Sequence, residues 1–388
     1  MRERTLLAKG AAERIGESGS RLVHGQRDAS GMLHEETTAC DLCDHAAALD
    51  GIHSLLADAE VGKRGSELVG IGHRVVHGGE AFREPCLIDD DVIETIRKLS
   101  PLAPLHNPAN LLCIEVAIAR RPDVPQVAVF DTAFHQSIPP PAFRYAVPED
   151  WYASHGVRRY GFHGTSYAYV ARQAATQLGR PLRELKLIVL HLGNGASAAA
   201  IANGKSVDTS MGLTPLEGLV MGTRGGDLDP GVIVYLARQV GMSAEDIDAE
   251  LNQESGLAGL CGVGDMRDVL RREAAGDARA RLALEVYVYR MRKYIGAYMA
   301  ALGHVDGIVF TAGVGENSPE IRARACTGLE TLGVQLDHAR NRASGEQARA
   351  INRQGSPIAV LVVPTNEELE IAEQTLKSIE TTSADSRR

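Results

Sequence analysis

Two arginines stand where an arginine is costly unless it serves an anion. Arg74 lies inside the apolar run 68–76 (LVGIGHRVV), flanked by His73 and Val75. A guanidinium there needs an anionic partner, either a structural carboxylate or a ligand. Arg224 sits in Met221-Gly222-Thr223-Arg224-Gly225-Gly226-Asp227-Leu228-Asp229-Pro230, a glycine-rich loop with no core role. Arginines in such loops bind ligands more often than they stabilise folds. Two more loops have the composition of anion cradles. His191-Leu192-Gly193-Asn194-Gly195-Ala196-Ser197 follows an apolar run. Its glycines let backbone N–H groups approach an anion, although the same spacing also makes a tight hairpin. Thr311-Ala312-Gly313-Val314-Gly315-Glu316-Asn317-Ser318-Pro319 leads into a helix start, with Ser318 as N-cap and Pro319 in the first helical position. It is neither a Walker A loop nor a G-x-G-x-x-G fingerprint.

Asp131 directly follows the run 127–130, at the carboxyl end of a strand, where α/β sites lie; a turn cap is the other reading. His163, in Tyr160-Gly161-Phe162-His163-Gly164-Thr165-Ser166, and His106, before Asn107-Pro108, are each as readily structural as catalytic. In Thr365-Asn366-Glu367-Glu368, the spacing of Thr365 and Glu368 fits a capping box, which leaves Glu367 to face a site or a divalent ion. Two arginines, two anion loops and carboxylates at strand ends fit nucleotide-dependent phosphoryl transfer, which is mostly positioning plus charge neutralisation.

The elements that position these groups alternate. Short β-branched runs at 127–130, 187–192, 308–310 and 360–363 each enter a polar or glycine turn and then a helix candidate, which predicts α/β architecture. Residues 197–202, Asn203-Gly204 and 206–209 predict a type I′ hairpin, so the sheets are mixed. Helices are expected at 45–60, 91–99, 108–120 (Asn107 as N-cap, Pro108 first) and 277–302. The last offers Leu282, Leu284, Val286, Tyr289, Ile295 and Met299 for burial. Turns are expected at 16–20 and 28–31, and a frayed tail at 381–388.

The 388 residues suggest two or three domains, and 44% hydrophobic with 23% charged residues exclude a disordered, collagenous or coiled-coil chain. A net charge of -9 provides no basic field, so neither nucleic acid nor an anionic membrane is an expected partner. Neither a membrane-spanning run nor a signal-peptide pattern is found, and the six scattered cysteines suit a reducing cytoplasm. Cys40-x-x-Cys43 with His45 nearby lacks the second ligand pair that a zinc site needs; redox chemistry and coincidence stay open.

Taken together, GHRVVHGGE (72–80), PLHNPAN (104–110), VFDTAFHQSIP (129–139), YGFHGTS (160–166), HLGNGAS (191–197), DTSMGLTPLEGLVMGTRGGDLDP (208–230), FTAGVGENSPEIR (310–322) and VVPTNEELEIA (362–372) closely resemble the acetate kinase family. The resemblance implies the two-domain actin-like (ribonuclease-H-like) fold of the sugar-kinase and heat-shock-ATPase superfamily, with mixed sheets flanked by helices. Residues 1–132, completed by a helix at 370–388, would form the first domain. Residues 133–369 would form the second, which carries the nucleotide and the dimer contacts. It further implies a cytoplasmic homodimer that moves a phosphoryl group between ATP and acetate, giving ADP and acetyl phosphate, with Mg²⁺ or Mn²⁺.

Carried over by motif, Arg74 and Arg224 would hold the carboxylate and the phosphoryl group. Asp131 would orient the centre and His163 would donate to the transition-state oxygens. Val76, Leu105, Phe162 and Pro215 would enclose the acyl methyl. His191, Gly193, Asn194 and Gly195 would line the phosphate path. Gly313, Gly315, Glu316 and Asn317 would touch the nucleoside, with Asp265, Met266 and Arg267 at the adenine end. Glu367 would hold the metal, through water. One methylene is worth only about 1–3 kcal/mol, so a propionate or butyrate kinase is the alternative enzyme, and a non-catalytic nucleotide-binding relative the alternative class. Gly225, Tyr167 and Met266 stand where the family usually has serine or cysteine, histidine and phenylalanine. The family pattern also opens with a strand and an Asn-x-Gly-Ser-Ser-Ser phosphate turn, whereas this chain begins with what resembles the segment after it. Impaired turnover and an unpaired central strand edge are therefore expected of the 388 residues.

Overall fold

The computed structural model describes residues 5–27, 32–58, 68–104 and 106–385. The chain begins with an antiparallel meander, β1 (Ala8–Glu13), β2 (Arg21–Arg27) and β3 (Leu33–Ala39), followed by helix α1 (His45–Asp58). A second sheet has the order β4 (Ile71–Val75), β6 (Gln126–Phe130), β5 (Cys86–Leu87), with β4 parallel to β6. Helices α2 (Asp90–Leu99) and α3 (Asn107–Arg120) pack beside it. Among the described residues β4 pairs only with β6, so its other edge carries no strand.

The third sheet follows helix α4 (Gly164–Leu178). It comprises β7 (Lys186–Leu192), β8 (Ala196–Ala202), β9 (Lys205–Thr209), β10 (Gly307–Thr311), β11 (Arg349–Ala350) and β12 (Ala359–Val362), in the order β11-β12-β10-β7-β8-β9. β7, β10 and β12 are parallel and the rest antiparallel, so the sheet is mixed as the sequence predicts. The parallel strands read as continuous apolar runs because both faces are covered. α4 packs on one face. The long helix α5 (Ala278–Leu302) packs on the other. Asn203 and Gly204 have φ of 55° and 80°, the left-handed pair that a type I′ hairpin requires.

Four local expectations are corrected. Asn107 does not cap α3: its Oδ1 accepts from the His77 backbone N–H and its Nδ2 donates to the His77 carbonyl, both at 3.0 Å. It therefore staples β4's exit loop instead. On α5 the buried positions include Leu284, Tyr287, Met291 and Ile295, while Leu282 and Tyr289 point to solvent. The final helix, α6 (Glu367–Asp385), runs on to Asp385 instead of fraying at 381, and residues 386–388 lie outside the described residues. Its start is capped by Asn366, which accepts from the Leu369 N–H at 3.0 Å, and the hydroxyl of Thr365 instead meets Ser166 Oγ at 2.8 Å. The expected turn at 28–31 lies outside the described residues.

α6 returns to the second sheet. A methyl on Gly72 of β4 would stand 2.7 Å from Ile371 and 2.3 Å from Thr375 Oγ1, so that glycine lets the helix lie against the strand.

Candidate active site

β4 and β6 are parallel, so Arg74 and Asp131 reach the same end of the sheet from adjacent strands. Their side chains form a forked ion pair, with Nη2–Oδ2 at 2.6 Å and Nε–Oδ1 at 3.2 Å. Asp131 is buried at the bottom, and Thr165 at the start of α4 donates to its Oδ1 at 3.3 Å. The Arg74 side chain is 45% exposed, so its outer edge faces the cleft while Asp131 holds its inner edge. Glu367, the first residue of α6, places its carboxylate 3.9 Å from Arg74 Nε. Burial and the charge of Asp131 push the Glu367 carboxyl upward.

His163 comes to this centre from an unusual backbone. Its φ of 59° is left-handed, which turns the chain sharply between Gly161 and α4 and aims the ring inward. Its Nδ1 meets Ser197 Oγ at 2.8 Å, and the same hydroxyl meets Tyr167 OH at 2.5 Å. A tyrosine O–H donating to the serine, and the serine O–H to Nδ1, leaves His163 with its proton on Nε2. Nε2 faces Gly195, where an added methyl would stand 3.6 Å from it and 4.0 Å from Arg224 Nη1. Burial, then Arg74, His135 and Arg224, push the His163 pKa down to about 3, so the ring is a neutral donor at physiological pH. His191 stacks on it with ring centroids 4.1 Å apart, and its pKa is pushed well down by burial. Its Nδ1 meets Ser166 Oγ at 2.9 Å.

Arg224 completes the group from the other side. The one hydrogen bond of its side chain among the described residues is to the Pro215 carbonyl at 3.5 Å, and burial lowers its pKa. No carboxylate among the described residues neutralises it, so its charge is available to a ligand. Asn194 and Gly222 are interlocked through the Gly222 N–H to Asn194 O bond at 3.0 Å, and a methyl on Gly222 would collide with Asn194 Oδ1 at 2.1 Å. That contact packs the 191–197 turn against the arginine loop. Val76 and Phe162 are buried in one apolar cluster nearby. Leu105 lies outside the described residues.

The nucleotide-side residues divide. Gly193 and Gly195 close the β7–β8 turn with the Gly193 N–H to Gly195 O bond at 3.0 Å. Gly313, Gly315 and Asn317 belong to the short helix Ala312–Asn317 after β10. One oxygen of the Glu316 carboxylate is taken: Oε1 accepts the N–H of Ala312 at 2.7 Å and of Thr365 at 3.0 Å, tying the ends of β10 and β12 together. Asp265 is likewise committed. It caps the helix Met266–Ala274 and pairs with Arg267 Nη2 at 2.6 Å, while Met266 is in the core. Arg267 remains exposed beyond that pair. Sequence reading gave no role to Ser197, Tyr167 and His135. The last donates through Nε2 to the Phe162 carbonyl at 3.0 Å, and so fixes the apolar wall. No local pattern reveals what these three do, because each acts through a partner distant in the chain.

Among the described residues no group of three or more histidine, cysteine, aspartate or glutamate side chains could hold a metal by itself. This covers Cys40 and Cys43, which are free thiols. No helix among the described residues is long and apolar enough to cross a membrane.

Opposed guanidiniums, a neutral histidine donor and glycine turns at strand ends define a phosphotransferase site in an α/β fold of the actin-like sugar-kinase class. Comparison with known proteins agrees. The chain belongs to the acetokinase family, whose profile matches residues 2–373. It is 56% identical to the acetate kinase of Streptomyces avermitilis over 97% of this chain and 92% of that one. It is 54% identical to that of Syntrophobacter fumaroxidans over 96% of this chain and 91% of that one. Among solved structures, the acetate kinase of Porphyromonas gingivalis superposes with a TM-score of 0.88 at 43% identity, covering 96% of this chain and 93% of that one. A propionate kinase from Francisella tularensis has the same TM-score at 41% identity, with coverage of 96% and 93%.

Proposed function

We propose that this protein is an ATP:acetate phosphotransferase that makes acetyl phosphate and ADP, and works in reverse, by direct transfer in the cleft between the two sheets. The observation that carries this reading is the pair of guanidiniums at the neutral His163, one anchored by Asp131 and the other paired with no carboxylate among the described residues. Arg74, held from behind, presents N–H groups to the acid's carboxylate. Arg224 neutralises the phosphoryl oxygens, and His163 Nε2–H donates to them as charge builds. Val76, Phe162 and Pro215 bound the acyl group, while the 191–197 turn and the Ala312–Asn317 segment take the nucleotide. Two parts, residues 1–132 with 370–388 and residues 133–369, form the sides of the cleft.

The residues suit a divalent ion. Two carboxylates, Asp131 and Glu367, share one partly exposed arginine, and the crowding already raises the Glu367 carboxyl. Mg²⁺ binds through one or two carboxylates plus phosphate oxygens, so Glu367 would hold it. When bound, the ion supplies charge neutralisation at the transferring phosphates. Acetate, ATP, Mg²⁺ and hydroxylamine incubated with the 388-residue chain will yield acetyl hydroxamate. A complete absence of product from acetate and from propionate would overturn the reading.

The protein also acts as a homodimer in this reading. Leu228, Val232, Ile233, Val234, Tyr235 and Val240 are all exposed on one short stretch, and Tyr235 is 62% accessible. Arg290 and Tyr294 of α5 hold Asp227 at the start of that stretch, and α5 adds the exposed Leu282 and Tyr289. Contiguous apolar exposure of this kind marks an interface. Sedimentation will show twice the chain mass, and V234E with Y235E will shift it to monomer; a monomeric unsubstituted protein would refute the dimer.

A further inference from the structure

His77 lies on the exit loop of β4, fully buried, and sequence reading assigned it no role. Its backbone is held on both sides by Asn107. Its Nδ1 accepts the Gly79 N–H at 3.0 Å. A neutral imidazole whose Nδ1 accepts carries its proton on Nε2. The ring stands edge-on against Tyr160 and Phe162, with centroids 4.6 and 5.5 Å away. Nε2 is sealed from solvent and has no hydrogen-bond partner. A buried donor left unpaired is costly, and this one sits at the back of the acyl pocket.

The acceptor near enough to act on His77 is the Leu213 carbonyl, although it falls outside hydrogen-bond geometry. Leu213 begins the loop that carries Pro215. That loop's other tie towards the cleft, Pro215 O to Arg224, is a long 3.5 Å, whereas its outer side is anchored by Tyr145 and by the Glu217–Arg159 pair. Past Gly212, whose carbonyl takes the Tyr160 N–H at 3.0 Å, the loop is tied more closely on its outer side than towards the pocket.

We propose that His77 is a positioning residue: its Nε2–H closes onto the Leu213 carbonyl when substrates fill the cleft, and this bond seats Pro215 against Val76 and Phe162. The bond sets the width left for the acyl chain. The inference rests on the carboxylate-kinase reading and deepens it, naming what discriminates acetate from longer acids.

The test compares H77F, which keeps a ring but loses the donor, with H77Q, which keeps a donor at the Nε2 position. H77F will raise the KM for acetate and cut the acetate-over-propionate ratio of kcat/KM about tenfold. It will leave the KM for ATP within about twofold, and H77Q will recover most of the ratio. In the unsubstituted protein, the ¹⁵N resonance of Nε2 will move to a hydrogen-bonded value when acetate, ADP and aluminium fluoride are added. That readout does not depend on either variant folding. An active unsubstituted protein in which H77F keeps its selectivity, or in which Nε2 does not shift, overturns the role of His77 alone. An unsubstituted protein that transfers phosphoryl to no short acid overturns the parent reading and this one with it.

Discussion

Replacing Arg224 with alanine lowers kcat/KM for acetate about a thousandfold, the low end of what an arginine on a transferring phosphoryl group contributes, or roughly 4 kcal/mol of barrier. The structure explains why the loss falls on catalysis. Arg224 has a single long bond to a backbone carbonyl and no carboxylate among the described residues within ion-pair distance, so its removal breaks no structural pair. Its burial already disfavours its charge, and the melting temperature of R224A will stay level or rise. Lysine will restore only part of the rate, because an ammonium cannot make the planar two-point contact. Arg74 is the contrast. Its loss would strand the buried Asp131, so stability and turnover would fall together. Steady-state kinetics with thermal melts separate the two. A loss below about tenfold for R224A would remove Arg224 from the phosphoryl site.

Acid destabilises this protein while its carboxylates are still ionised. Burial pushes His77 and His135 down to about 4, and burial with Arg74, His135 and Arg224 takes His163 to about 3. The unfolded chain would protonate each near 6.5. A group whose folded pKa lies below its unfolded value supports the fold at high pH, and that support fades as pH falls below the unfolded pKa. Between pH 6.5 and 4 the unfolded state binds more protons, so stability rises with pH across that window. At pH 5 each histidine has lost about 2 kcal/mol relative to pH 8, and the three together on the order of 6. Glu367 and Asp208, whose carboxyls are raised, work in the opposite direction, but His73, His106 and His191 are lowered as well and add to the loss. The loss rivals the whole stability of an ordinary domain. Denaturant titrations at pH 8, 6 and 5 will show a steep decline that begins near pH 6.5; a level result from 8 to 5 would refute the neutral buried triad.

These expectations depend unequally on sequence and fold. Strand runs, helix starts and the Asn203-Gly204 hairpin are local physics, so periodicity, proline position and left-handed turn residues reveal them. Asp131 at the end of its strand and the two oddly placed arginines are legible for the same reason: a charge where a hydrophobe is cheaper implies a partner. The choice of partner is not local. Asn107 looks like a helix cap, and Thr365 with Glu368 like a capping box, because those readings weigh only neighbours in the chain. In the folded protein Asn107 staples the His77 backbone and Asn366 takes the cap. Glu316 and Asp265 gain partners that the sequence does not announce, backbone N–H groups for the first and Arg267 for the second. Which face of α5 is buried also depends on the sheet beneath it.

The sequence by itself determined the alternation of strands and helices, the family pattern and the residue types of a phosphoryl-transfer site. Chain-local geometry and side-chain chemistry suffice for those. Only the tertiary structure decided that parallel β4 and β6 bring Arg74 onto Asp131, and that Tyr167 and Ser197 orient the His163 proton. It alone left the buried His77 Nε2 without a hydrogen bond beside the Leu213 backbone. Hydrogen bonds and burial depend on which atoms meet in space, and residues far apart in the chain meet only once the sheets have formed.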